Sequence, residues 1–155
     1  MRLLLVGLFL ACAHAPAQIL LRINDAKPVQ VDPAALAQLP RDKVALNDHG
    51  KPANYEGVLV RDLLAHNGLD LTKGLHGKQL STVLTAIGSD GYQVVYALAE
   101  FDPTISDSKI IIADTHDGKP LGATEGPLRI VDPNDKRPAR SVRMLKEIDV
   151  LQLAK

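Results

Sequence analysis

The sequence is poor in cysteine, in aromatics and in net charge. Its single cysteine is Cys12, so the chain beyond it offers no disulfide, no thiolate metal ligand and no cysteine nucleophile. Tryptophan is absent, and after residue 17 the only aromatics are Tyr55, Tyr92, Tyr96 and Phe101, too few for a platform that stacks bases or sugars. Basic and acidic residues both number 18. The basic ones are scattered except between Lys136 and Lys146, which excludes the one-signed footprint of a nucleic-acid-binding protein. No apolar run reaches the about 18 residues that a membrane-spanning helix needs.

Common catalytic signatures are missing too. Ser89 lies in GSDGY, where the glycine spacing is not that of a nucleophile elbow, and the stretch reads as a turn. His49, His66, His76 and His116 show no paired-ligand spacing. The run ADTHDG brings Asp114, His116 and Asp117 close in sequence but lacks the alternating oxygen ligands of a calcium loop, and reads as a solvated hairpin tip. There is no phosphate loop and no dinucleotide fingerprint. Glu100, Asp102 and Glu125 are candidates for carboxylates paired in space, which sequence alone does not decide.

What is present begins with an export signal. Met1-Arg2, the apolar LLLVGLFLACA and the small-residue stretch AHAPAQ have the layout of a secretory leader over residues 1–17. Cleavage after Ala17 leaves a single domain, residues 18–155, in the periplasm or secreted. The rival reading is a lipoprotein anchored through Cys12, for which Phe9 is a poor fit in the recognition box. Met1-Arg2-Leu3 has no twin arginine, so export of an unfolded chain is expected.

The domain itself alternates short strands and turns. ILLRIND and KPVQVD read as a hairpin. Asp32-Pro33 opens a short helix over AALAQL, and Pro40 ends it. KVALND reads as a strand, and within YEGVLVRDLLAHNG the spacing of Val60, Leu63, Leu64 and Asn67 predicts a short helix stopped by Gly68. LSTVLTAIG and QVVYALAEF are strands around the Ser89-Asp90-Gly91 turn, the second turning helical at its end. KIIIAD has the continuous apolar character of a strand covered on both faces. LRIV and KEIDVLQL read as the last strands, with one or two helical turns over residues 139–145. The fold class is α+β (mixed α/β), with about seven to nine strands and two or three short helices on this pattern count.

Arg129 stands inside the apolar run LRIV, a costly place for a permanent charge. It heads a group of basic residues, with Lys136, Arg137, Arg140, Arg143 and Lys146, that either holds an oxyanion or is a solvated face. Arg129 is correspondingly either a ligand anchor or the partner of a nearby carboxylate.

The order of four segments adds to this. YEGVLVRDLL, SDGYQVVYAL, IIIADTHDGKPLGATEGPLRIVDP and SVRMLKEIDV, taken together, resemble the molybdopterin-binding domain of the sulfite oxidase family, over roughly residues 44–153. The resemblance implies a mixed fold with largely antiparallel sheets. It implies that Arg129 and Arg143 correspond to basic residues that hold the pterin and its phosphate, with Asp90, Tyr92 and His116 lining the same cleft. It also implies a molybdenum-ligating cysteine shortly before YEGV. That place reads VALNDHGKPAN, with Asn47, Asp48 and His49 and no cysteine. No catalytic residue, metal or cofactor is therefore expected, and molybdopterin is implied by resemblance alone.

The resulting expectation is an exported, non-catalytic binding or accessory module whose cleft takes a small anion, a peptide or a periplasmic partner protein. The alternative is a molybdopterin-dependent oxidoreductase, or a subunit of one, with a non-cysteine metal ligand. A third reading is an interaction protein that uses a sheet edge.

Overall fold

The computed structural model describes residues 18–48 and 50–153, apart from the side chain of Asp48. The leader over residues 1–17, with Cys12, and the candidate His49 lie outside the described residues. Ten strands form two five-stranded sheets. In the first, β1 (Ile19–Ile23) and β2 (Val29–Val31) make the expected hairpin, and β1 also pairs in parallel with β10 (Leu145–Gln152). Strand β10 continues antiparallel to β5 (Thr82–Gly88), which pairs with β6 (Gln93–Ala97), giving the order β2-β1-β10-β5-β6. The second sheet is antiparallel throughout. It contains β3 (Arg41–Asp48), β4 (Lys51–Leu59), β7 (Ile111–His116) and β8 (Lys119–Pro120) in that order, with β9 (Arg129–Val131) also paired to β7.

Helices are few. Helix α1 (Pro33–Ala37) starts as its sequence dictates, Asp32 accepting the Ala35 N–H at 2.8 Å with proline at the first helical position. Helix α2 (Val60–His66) buries Val60, Leu63 and Leu64 on one face and stops before Gly68, which sits at φ +91°. The short helix agrees with the spacing of Val60, Leu63 and Leu64, and the YEGVL ahead of it is the end of β4. The helix starts no earlier because β4 pairs with β3 up to Val58 and with β7 up to Leu59. The helical turns expected over residues 139–145 shrink to a 3-10 turn at Pro138–Arg140, since Leu145 already belongs to β10. A second 3-10 turn, Gly77–Ser81, has no counterpart in the expectation. The structure is thus mostly sheet with a few short helices, an α+β arrangement. Among the described residues no helix is long and apolar enough to cross a membrane.

Strand β7 explains its own sequence. Ile110 and Ile112 face the main core with Leu84, Leu98, Ile130 and Ile148, while Ile111 and Ala113 face a second cluster with Val44, Leu46, Tyr55 and Val131. Both faces are covered, so the run does not alternate. Gly57 lets β4 approach β7 at a register irregularity: a Cβ there would stand 1.9 Å from the Ile112 carbonyl oxygen. That close approach sets Tyr55 opposite His116.

Candidate functional site

The five candidate residues fall into two groups. Asp90, Tyr92 and Arg143 line one cleft of about 590 Å³ together with Arg137, Pro138, Ala139 and Ser141. His116 and Arg129 belong to a separate, largely buried cluster with Tyr55 and Glu125.

The cleft exists because the β5–β6 turn is drawn against residues 141–144. Gly88 has no room for a side chain, its Cβ position lying 2.8 Å from the Arg143 carbonyl oxygen and 2.7 Å from Asp90 Oδ1. The Ser89 N–H donates to the Met144 carbonyl at 2.9 Å, and Gly91 turns the chain at φ +84°. Asp90 then accepts the Tyr92 N–H at 2.9 Å, and the Tyr92 hydroxyl donates to the Ala139 carbonyl at 2.7 Å. Tyr96, on the buried face of β6, donates its hydroxyl to the Arg140 carbonyl. Tyr92, just ahead of β6, and Tyr96 within it therefore hold the far wall.

Arg140 fixes that wall from its other end. Its guanidinium binds Glu100 at 2.9 Å, Asp132 at 2.8 Å and Asp135 at 2.9 Å, and lies 4.9 Å from the centre of the Tyr96 ring. The hydrogen bond to Asp135 leads in raising the Arg140 pKa. Burial pushes the Asp132 carboxyl above its ordinary value, with Asp135 and Glu100 adding to the effect against Arg140. Burial likewise raises the Tyr96 phenol, keeping it a neutral donor. Arg140 is thus committed to structure. Arg137 and Arg143 are not: both are exposed, and among the described residues neither makes an ion pair. Between them lies Ser141, only 5% exposed, whose Oγ is buried with no hydrogen-bond partner.

The other cluster is largely buried. Arg129 is 0% exposed, the largest fully buried side chain, and sits on the β9 face that meets Ala113 of β7. Its Nη1 donates to Tyr55 Oη at 2.6 Å and to Glu125 Oε1, and its guanidinium lies 4.9 Å from the Tyr55 ring centre. Nε and Nη2 are buried without a hydrogen-bond partner. Glu125 also meets His116 Nδ1 at 3.0 Å, and the His116 ring stacks on Tyr55 with centroids 4.5 Å apart. Burial would raise the Glu125 carboxyl, but the His116 hydrogen bond and the Arg129 charge together hold it below its ordinary range. The two regions adjoin, for the Met144 N–H donates to the Glu125 carbonyl at 2.8 Å.

Among the described residues, the three carboxylates considered for pairing each serve a different partner. Glu100 serves Arg140, Glu125 serves Arg129, and Asp102, 0% exposed, accepts from the Leu75 N–H, the Thr104 N–H and the Thr104 hydroxyl. Burial would raise Asp102, but those three donors hold it below its ordinary value. Sequence reasoning overlooked Ser141 and Tyr55. Ser141 carries no local signal, whereas Tyr55, just ahead of the Gly57 contact, could have been read as the residue facing β7.

A larger cleft, about 690 Å³, lies elsewhere, between Asn24, Lys78, Ser81 and Leu151–Leu153, and contains none of the candidate residues. Its polar groups are largely spent on each other: Gln152 donates to the Lys78 carbonyl at 2.9 Å and to Asn24 at 3.2 Å. The unspent donors at residues 137–143 make the smaller cleft the better candidate. Among the described residues no group of three or more histidine, cysteine or acidic side chains is placed to hold a metal ion.

No protein-family model matches the chain, and no curated protein matches it. Among solved structures it is similar to the sulfane dehydrogenase SoxCD from Paracoccus pantotrophus, with a TM-score of 0.67 at 15% sequence identity. The match covers 89% of this chain but 39% of the other, so the chain spans well under half the length of that neighbour. At this identity the likeness establishes a shared fold and nothing of function.

Proposed function

We propose that this chain is an exported binding or accessory module that holds a small oxyanion, or the carboxylate of a peptide or partner loop, in the cleft at residues 137–143. The observation that carries this reading is the set of unspent donors: two exposed, unpaired arginines and one buried, unpartnered hydroxyl on a common cleft. Guanidinium groups give paired donors to an oxyanion, and the Arg140 and tyrosine contacts hold the wall before a ligand arrives. Asp90, on the opposite lip, favours an anion that also carries a proton to donate, such as hydrogenphosphate.

The competing reading is a molybdopterin oxidoreductase. The unpartnered Nε and Nη2 of Arg129 speak for it, because the resemblance sets a pterin against this residue. The metal donors speak against it. The only cysteine is Cys12, Asn47 spends its side-chain oxygen on the Gly50 N–H at 2.7 Å, and the Arg129 charge is already matched by Glu125. These residues do not fit a thiolate-held molybdenum centre, and we derive no step through one.

Calorimetric titration of the protein with inorganic phosphate and with sulfate tests the proposal. Saturable binding, lost in Arg143→Ala and in Arg137→Ala with the melting temperature retained, is the expected result. Binding that survives both substitutions rejects the cleft. Stoichiometric molybdenum and pterin in protein from its native host would favour the competing reading. N-terminal sequencing of that protein, with Gln18 expected first, checks the export signal.

A further inference from the structure

We infer that the cleft at residues 137–143 receives the C-terminal carboxylate of a peptide, whose last residues extend as an antiparallel strand along the first part of β6. This rests on the oxyanion reading above and names the partner class for that site. A cleft of about 590 Å³ has the size of an organic ligand's pocket, not that of a bare inorganic ion's. Its chemistry suits a chain end. Arg137 and Arg143, exposed and without an ion pair among the described residues, call for an anion. Asp90 on the opposite lip calls for a donor, and the last amide N–H of a peptide stands beside its carboxylate.

The strand next to the cleft supplies the rest. The Gly88 N–H donates to the Tyr92 carbonyl at 2.9 Å. By the alternation of antiparallel pairing, Val94 and Tyr96 then spend their backbone groups on β5, while Gln93, Val95 and Ala97 turn theirs away from it. β6 is the terminal strand of its sheet, so these groups face no further strand. The Ala97 N–H is already taken, donating to Glu100 Oε1 at 3.0 Å. That cap closes the far end of the edge. Gln93 and Val95 remain as pairing positions, both uncharged, immediately after the Tyr92 that lines the cleft.

Polarity follows from this layout. The arginines lie at the end where β6 begins, so a peptide with its carboxylate there runs against the direction of β6. A terminal residue in the cleft and a short stretch opposite Gln93 and Val95 give a footprint of roughly four residues. Main-chain bonds along a sheet edge and capture of a terminal carboxylate are both recurring modes of peptide recognition.

An array of immobilised peptides with free C-termini, permuted over their last few residues, tests this against the same array amidated, with inorganic phosphate titrated in parallel. The expected result is binding to the free-carboxylate array, none to the amidated one, and loss of the signal in Arg143→Ala. Val95→Pro removes one outward N–H and spares the β5 ladder. It is expected to weaken the best peptide about tenfold while phosphate binding stays unchanged. Hydrogen exchange on the native protein gives a readout free of any variant: the Gln93 and Val95 amides gain protection when that peptide is added. Phosphate binding at Arg143 with no peptide bound overturns the inference and leaves the oxyanion reading standing, whereas failure of both ligands overturns the two together. Peptide binding that survives amidation or Val95→Pro, or that leaves those two amides unprotected, also overturns the inference.

Discussion

Two arginines fourteen residues apart in the chain, Arg129 and Arg143, meet opposite ends. Arg129 is sealed against Glu125 and Tyr55, and its charge is used up inside the protein. Arg143 stands at the lip of an open cleft with no ion-pair partner among the described residues. The residue type is the same and both lie near the same sheet junction. What separates them is whether a carboxylate was delivered within reach, and that depends on the loop from residue 121 to 127 rather than on either arginine. A buried arginine with a matched acid is a structural element; an exposed one beside spare donors is a binding element.

The sharpest way to break this contrast is Glu125→Ala. It strands the Arg129 charge in the interior and is expected to cost about 3 kcal/mol of unfolding free energy in urea denaturation. Arg129→Met, which removes the charge and keeps the volume, should cost distinctly less. Equal losses would mean that the pair itself stabilises the fold. Next comes Gly57→Ala, expected to cost about 2 kcal/mol because the new methyl group collides with the backbone of β7. Loss of the near-ultraviolet tyrosine signal should accompany it, since Tyr55 is placed by that contact.

Acid titration sharpens the picture, because the carboxylates at Arg129 and Arg140 move in opposite directions. Glu125 is held below its ordinary value of 4.5, so its contribution is fully present above that pH and is lost as the pH falls through the lower folded value. Asp132, pushed above its ordinary value of 3.8, acts in the opposite sense: its ionised form is disfavoured in the fold, and acidification relieves that cost. In melting curves taken across the acid range, Glu125→Gln should flatten the fall in stability, whereas Asp132→Asn should steepen it. A smaller change is expected on the surface. The Arg41–Asp114 pair, with both side chains more than 40% exposed, should contribute at most about 1 kcal/mol, and less at high salt. Arg143→Ala should move stability least, by under about 0.5 kcal/mol, while abolishing phosphate binding. A large loss of stability there would erase the distinction between the two arginines.

Much of the fold was legible along the chain because its signals are local. Asp32-Pro33 marks a helix start by cap chemistry, Ser89-Asp90-Gly91 marks a turn by its positive-φ glycine, and the unalternating KIIIAD announces a strand covered on both faces. The boundary at Leu59 was not legible. Helical spacing in residues 60–67 ran smoothly into a segment whose strand state depends on partners up to about sixty residues away, in β3 and β7. The candidate cleft was legible only in part. Asp90, Tyr92 and Arg143 do share it, whereas His116 and Arg129 lie behind it.

The sequence by itself determined the absences and the local grammar. With one early cysteine, no tryptophan and balanced charge, whole classes of chemistry were excluded before any folding was considered. The tertiary structure alone decided which charges cancel. Glu100, Asp132 and Asp135 gather on Arg140, Glu125 closes on Arg129, and Arg137 and Arg143 are left over. The reason is physical: the worth of a charge depends on burial and on the distance to its opposite, and neither is a property of the residue itself.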